Sequence, residues 1–307
     1  MRRVVRAVIK AFLISATAAG ILLGAAYMSY LPGKGGAGAT PTRPHASGAP
    51  KTSAHASSGA GGRGCGTVRI VVLVDNDRLV KGLQTAWGLS IYVETPNTRF
   101  LFDTGPDPSV LKHNAEALHI NLSSLDFVVI SHCHGDHTGG LPLIGEVKPG
   151  LKVYVPAPSG LEGYVRSLGL KPVPVSKTVE VAPGVWVIKP LYGPPWEECV
   201  AVNTSYGLVV LVGCSHPGVD RMVEQAVKDT GARKVYAVIG GFHLIGAPMS
   251  KVAQEVNGLV RLGVAKIYPI HCSGEEVRHY IRTHYPGRLG VGGVGLELDL
   301  PAPCGSG

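Results

Sequence analysis

The chain reads as an α/β protein whose sheets pack against one another with helices on the outside. Strand-like runs come first in each half and helical spacings alternate with strands further along. With 307 residues, 45% of them hydrophobic, the chain is long enough to bury a full core. This order favours packed layers over a simple barrel.

Taken in order, Val68–Val74 alternates poorly but is strongly β-branched and reads as a strand. Leu89–Val93 and Phe100–Phe102 read as strands around the Pro96-Asn97 turn. Ser109–Leu118 sets Val110, Leu111, Ala115 and Leu118 at helical spacing, and Phe127–Ile130 is a short buried strand. Strand Lys152–Val155, helix Leu161–Leu168, strand Val185–Ile188 and strands Val200–Thr204 and Leu208–Val212 follow. Helix Val219–Thr230, strand Val235–Ile239, helix Lys251–Leu262, strand Lys266–Ile270 and helix Glu275–Thr283 then alternate before a closing strand, Leu296–Leu300. The Gly-rich stretches 33–39 and 59–64 lack both the Lys-Ser/Thr ending and the preceding strand of a phosphate loop.

Ahead of these elements the composition changes. Arg2, Arg3, Arg6 and Lys10 precede an uncharged run, Ala11–Leu31, long enough to span a bilayer, which takes about 20 residues. Residues 1–31 are therefore expected to form a basic segment with a transmembrane anchor, or a signal cleaved near Ala25-Ala26. With the basic side inside, the rest of the chain is extracytoplasmic, or secreted after cleavage. Residues 32–66 are almost entirely Gly, Ala, Pro, Ser, Thr and His, a disordered-linker composition, so the domain is expected over 67–307.

The net charge of +8 belongs to this leader. Residues 1–66 hold eight Lys or Arg and no Asp or Glu, which leaves the domain with 21 of each sign. A basic leader suits an anionic membrane surface, and a neutral domain argues against nucleic acid as a partner. Six cysteines without a CxxC pair exclude a disulfide scaffold and a Cys-rich structural zinc site, although Cys65 and Cys304 are placed to clip the domain's ends.

Chemistry concentrates where strands end. Ser131-His132-Cys133-His134-Gly135-Asp136-His137-Thr138-Gly139-Gly140 packs three imidazoles and a carboxylate into six residues just after a buried run. His132 and His134, two apart on an extended backbone, can point the same way, and Gly135 lets the chain turn before Asp136 and His137. Four donors this close divide naturally between two metals, an arrangement that serves hydrolysis. Imidazole and carboxylate suit zinc, iron or manganese alike. Asp103, Cys214, His216, His243 and His271 also follow apolar runs, where active sites gather.

The SHCHGDHTGG stretch resembles the HxHxDH signature of the metallo-beta-lactamase fold. Val74-Asp75-Asn76, Gly88-Leu89-Ser90, Phe102-Asp103-Thr104-Gly105, Gly213–Gly218 (GCSHPG), Gly240–Leu244 (GGFHL) and His271-Cys272-Ser273-Gly274 make it similar to one branch, the dihydropterin-(ribofuranosyl)aminobenzene-phosphate synthase-like metal-dependent hydrolases. The likeness spans roughly residues 67–300. It implies a four-layer αββα sandwich with two divalent metal ions, zinc first and iron or manganese as alternatives, at one edge between the sheets. His132 and His134 would bind the first metal, Asp136 and His137 the second, with His216 and His271 as the remaining protein ligands. Asp103 would orient a ligand or touch the second metal. His243 would either replace one of the ligands or contact substrate. Where glyoxalase-type relatives carry a Gly-Asp pair with a bridging carboxylate, this chain has Gly213-Cys214, so Cys214 is either a second-metal ligand or a small buried side chain.

The expected activity is a hydrolase in which hydroxide held at the binuclear centre attacks a small ester, lactone or phosphoester. Asp136 would position the hydroxide, His243 would donate to the anionic transition state, and Asp103 completes the catalytic set. Asn76 is expected at the substrate rim, with Trp87, Tyr192, Pro194-Pro195 and Trp196 as walls. Synthase-like activity, or a membrane-tethered domain that only binds metal and ligand, stands as the alternative.

Overall fold

The computed structural model describes residues 66–304. Strands β1 (Thr67–Val74), β2 (Ser90–Glu94), β3 (Arg99–Phe102), β4 (Phe127–Val129), β5 (Lys152–Pro156) and β6 (Lys171–Val175) build the first sheet. Strands β7 (Val179–Ala182), β8 (Val185–Tyr192), β9 (Trp196–Thr204), β10 (Gly207–Val212), β11 (Val235–Gly240) and β12 (Lys266–Pro269) build the second. The closing β13 (Glu297–Pro301) returns to pair antiparallel with β1, giving the orders β13-β1-β2-β3-β4-β5-β6 and β12-β11-β10-β9-β8-β7. Each sheet has an antiparallel part and a parallel part, the latter being β3 to β6 in one and β10 to β12 in the other. Parallel neighbours end on the same edge, and those ends carry the candidate site.

Three apolar strata separate the layers. Val68, Ile70 and Val72 of β1 meet Val200, Val202, Val209 and Leu211 of the facing sheet. The opposite face of β1, Val71 and Leu73, packs with Leu111, Leu141 and Ile144, which lie on helices α1 (Pro108–Ala117) and α3 (Leu141–Val147), flanking the four-residue α2 (Gly135–Thr138). Beyond the second sheet, Ala201 and Val210 pack with Val223, Val256 and Val277. After the short α4 (Glu162–Ser167), those residues belong to α5 (Val219–Thr230), α6 (Met249–Arg261) and α7 (Glu275–His284). The layers run helix, sheet, sheet, helix. Both faces of the central strands are buried, which is why β1 is β-branched without clean alternation.

Local signals explain the boundaries. The Asp107 side chain caps α1 by accepting the amides of Ser109 and Val110, so the helix starts at Pro108 in the N1 place that proline favours. Helix α5 buries Val219, Met222, Val223 and Ala226 along one stripe and stops at Gly231, at φ 69°. Three strand expectations need correction. The segment Lys171–Val175 (KPVPV) is a strand despite two prolines because it lies at the sheet's end. The neighbouring Val179–Ala182 is likewise an end strand, largely exposed. Strand β9 starts at Trp196 and not Val200, running through an acidic pair, Glu197-Glu198, that is wholly buried.

Among the described residues no helix is long and apolar enough to cross a membrane. The anchor and linker expected over 1–66 lie outside the described residues, Gly66 apart. Cys304 is disulfide-bonded, and the partner expected for it, Cys65, lies outside the described residues.

Candidate metal centre

Six strands deliver the site residues within a few positions of their ends: Asp75 and Asn76 after β1, Asp103 after β3, His132 to His137 after β4, Cys214 to His216 after β10, His243 after β11 and His271 after β12. Side-chain donors converge in two main groups. His132, His134 and His216 offer ring nitrogens that all lie within 4.8 Å of one another, and Asp136, His137, Cys214 and His271 do the same with O, N, S and N donors. Each group takes residues from both sheets. The first group is open on the His134 side, while His137, Cys214 and His271 are buried.

A second layer of hydrogen bonds turns the rings. Asp103 accepts the Ser131 amide at 2.7 Å through Oδ1 and the Ser131 hydroxyl at 2.7 Å through Oδ2, which also lies 2.6 Å from His137 Nδ1. With its proton committed to Asp103, the Ser131 hydroxyl accepts from His132 Nδ1 at 2.9 Å. Glu197 Oε2 lies 2.8 Å from His216 Nδ1. Asn76 Oδ1 lies 3.2 Å from His271 Nδ1, and its amide donates to the His271 carbonyl at 2.9 Å. In all four rings Nδ1 is occupied, which leaves the Nε2 lone pair for the site, the pattern of metal-binding histidines. His132 Nε2 and His134 Nδ1 face each other at 3.1 Å. Two such lone pairs need a proton or a cation between them, so the donor set fits a divalent ion in each group.

Electrostatics agrees with that fit in the first group. Burial pushes His132 well below its ordinary value, with the neighbouring imidazoles adding to it, and burial lowers His134 as well. Neutral rings are the ligating form. Burial raises Asp136, but His271 and His137 outweigh it and pull the carboxyl down to about 2. His271, lowered by burial, is raised overall to about 9 by Asp136 and Cys272. Asp103 is raised by its complete burial against the pull of His137. The backbone is strained here too: Asp103, Ser215, His243 and His271 are four of the five non-glycine residues with positive φ among the described residues.

The geometry gives the other expected residues definite partners. Both Asp103 oxygens are engaged by Ser131 and His137, an arrangement that orients the His137 ring and, through Ser131, that of His132. Asn76 donates to the His271 carbonyl and accepts the Gly88 amide at 3.3 Å, which places it beside His271. His243 joins neither main group; it lies with Cys214 and Cys272, its ring centroid 4.5 Å from that of His216. Of the expected walls, Trp87 stands 5.4 Å from His271, centroid to centroid, and Tyr192 and Trp196 pair with each other at 5.2 Å. Glu197 and Cys272 were not expected at the site. Glu197 carries no motif signature; its only trace is an acidic pair set between Trp196 and the apolar run Cys199–Val202.

An αββα sandwich with paired metal-donor groups bridging its two sheets at one edge defines the class of protein. The family model of the metallo-beta-lactamase superfamily matches residues 88–210. A 7,8-dihydropterin-6-methyl-4-(beta-D-ribofuranosyl)-aminobenzene-5'-phosphate synthase of Methanocaldococcus jannaschii is 30% identical over 248 residues, covering 64% of this chain and 84% of that protein. An uncharacterized protein of the same organism is 26% identical, with 72% of this chain and all of its own length covered. The crystal structure of Tm1679, a metal-dependent hydrolase of the beta-lactamase superfamily, superposes with a TM-score of 0.67 at 25% identity, over 76% of this chain and 99% of that one. The chain belongs to the metallo-beta-lactamase superfamily.

Proposed function

We propose that the protein is a metal-dependent hydrolase of small esters, lactones or phosphoesters. One observation carries this: seven ligating side chains converge in two adjacent groups, with four of the five histidines held by a partner at Nδ1. Bound there, two divalent ions, zinc first with iron or manganese as alternatives, supply Lewis acidity and lower the pKa of water toward about 7. Asp136, ionised and partly open to solvent, orients the attacking water as a proton acceptor. His243 is exposed at the edge of the site, where a ring N–H offers a hydrogen bond to the anionic part of a substrate. Trp87 beside His271 gives the mouth an apolar wall.

Elemental analysis of the purified chain is expected to return two or more divalent ions, and the loaded protein to turn over a simple phosphodiester or lactone. His132→Ala with His134→Ala should abolish activity and empty the first group. Full activity in that double variant, or no bound metal after reconstitution, overturns the proposal.

The synthase relative favours a second reading, in which this chain forms the product named for that protein. It ranks behind hydrolysis because that chemistry belongs inside a cell, whereas the basic, apolar leader supports an outward-facing, membrane-anchored or secreted domain. Product formation from pterin precursors without hydrolase turnover would reverse the order. Bound metal with turnover in neither assay would leave a tethered binding domain.

A further inference from the structure

Behind the two histidine-rich groups lies a softer set of donors. Cys214, Cys272 and His243 bring two sulfurs and a ring nitrogen to within 4.8 Å of one another. Both thiols are buried and free. The three residues come from the ends of β10, β11 and β12, adjacent parallel strands, and their loops are laced together. The amides of Leu244 and Ile245 donate to the Cys272 carbonyl at 3.1 and 3.4 Å, and the Phe242 amide to Ser273 Oγ at 3.1 Å. His243 sits at φ 50°, in the left-handed region that few non-glycine residues occupy. Gly241 leaves room for the sulfur: a Cβ there would stand 2.6 Å from Cys272 Sγ and 2.7 Å from the Gly213 carbonyl oxygen. Cys214 Sγ also lies 3.2 Å from His137 Nε2 and 3.4 Å from His271 Nε2, so it faces the second histidine group as well.

We infer that Cys214, Cys272 and His243 form a third cation site, selective for thiophilic ions such as zinc, cadmium or cuprous copper and joined to the second group through the shared Cys214 sulfur. Two thiolates and an imidazole discriminate against magnesium, calcium and manganese, which prefer oxygen donors. Three protein ligands with His243 at the surface leave the fourth position open, so the ion is exchangeable.

The test is a titration of the metal-free full-length chain with Co²⁺, kept reduced by a phosphine, read by ions bound and by thiolate-to-cobalt charge-transfer absorption. Wild type should bind three ions. Cys272→Ser should bind two and keep about a third of the sulfur-derived absorption, since one of three sulfur–metal bonds remains. His243→Ala, at an exposed ring, should lose the third ion with an unchanged near-ultraviolet circular dichroism spectrum, and it carries the test if Cys272→Ser fails to fold. Saturation at two ions in wild type, or sulfur absorption undiminished in Cys272→Ser, overturns the inference. Either result leaves the hydrolase proposal standing, because that rests on the two histidine groups alone.

Discussion

Glu197 is fully buried and accepts four hydrogen bonds: the amides of Cys214 and Ser215 at 2.8 Å, the amide of His216 at 2.9 Å, and His216 Nδ1 at 2.8 Å. One carboxylate therefore shapes the loop after β10 and aims a first-group ligand. Glu197→Gln replaces one accepting oxygen with an NH₂ that faces donors, and first-group metal affinity should fall about 10- to 100-fold. Competition with a chromophoric chelator measures this, and unchanged affinity would mean that His216 is aimed by something else. Its neighbour Glu198, whose side chain alternates to the other face of the strand, is also fully buried, with no hydrogen-bond partner for either oxygen among the described residues. Burial pushes its carboxyl well above the ordinary 4.5, and the Asp103 charge adds to the shift. With the folded pKa raised, the native state holds a proton that the unfolded chain releases. Stability is then complete below the unfolded pKa and falls as pH rises above it, by about 1.4 kcal/mol per pH unit until the folded pKa is passed. Urea unfolding of wild type and Glu198→Gln should agree near about pH 4 and diverge in the variant's favour toward about pH 8; parallel curves would refute this. Neither role was legible in the sequence, where an acidic pair argues for exposure. The motif ligands were legible because several donors fall within a few residues of a strand end.

At the scale of elements, the metal-binding turn depends on how closely two loops approach. The Thr104 amide and hydroxyl both donate to the His137 carbonyl, at 2.8 and 2.9 Å, and the Gly140 amide donates to the Gly105 carbonyl at 3.0 Å. A Cβ at Gly139 would lie 2.1 Å from the Pro106 carbonyl oxygen, and one at Gly140 would lie 2.2 Å from that of Thr104. Both clashes are with backbone, which cannot rotate away. Gly139→Ala should cost about 1–3 kcal/mol by overpacking and displace the short helix bearing Asp136 and His137. Urea denaturation reads the first effect and weakened second-group metal binding the second; an unaltered unfolding midpoint would show that the loops part easily. The glycines that follow the ligands are thus explained by packing, which the sequence shows only as a pattern. Elements with a double-sided apolar environment, such as β1, β10 and β11, were legible to within a residue or two. The end strands β6 and β7 were not, because proline and polar residues are tolerated where one edge is unpaired, whereas the end strands β12 and β13 kept enough apolar residues to be read.

At the scale of the molecule, the site adds a further join between two sheets that already meet through an apolar interlayer and through polar links such as the Glu198 amide to the Ser131 carbonyl, 2.9 Å, and Arg278 to Asp77, 2.7 Å. His132, His134, Asp136 and His137 leave the first sheet, whereas Cys214, His216 and His271 leave the second, and each of the two main donor groups draws on both. A bound ion therefore acts as a cross-link at one open edge. It also stands in for the protons that would otherwise separate the lone pairs of His132 and His134. Because the unfolded chain cannot assemble either group, occupancy adds to stability by mass action, about 2.7 kcal/mol for each site at a free-ion concentration of 100 times Kd. In a domain of this size each kcal/mol moves Tm by about 2–4 °C, so stripping two such sites should lower Tm by about 10–20 °C. Calorimetry before and after chelation, with zinc added back, measures the shift. The variant carrying both His132→Ala and His134→Ala should lose about half of the part due to the two sheet-bridging groups, because of these only the Asp136, His137, Cys214 and His271 group can still close. A Tm indifferent to chelation would mean that the interlayer and the direct polar links hold the sheets in register and that the ions are bound too weakly to cross-link them.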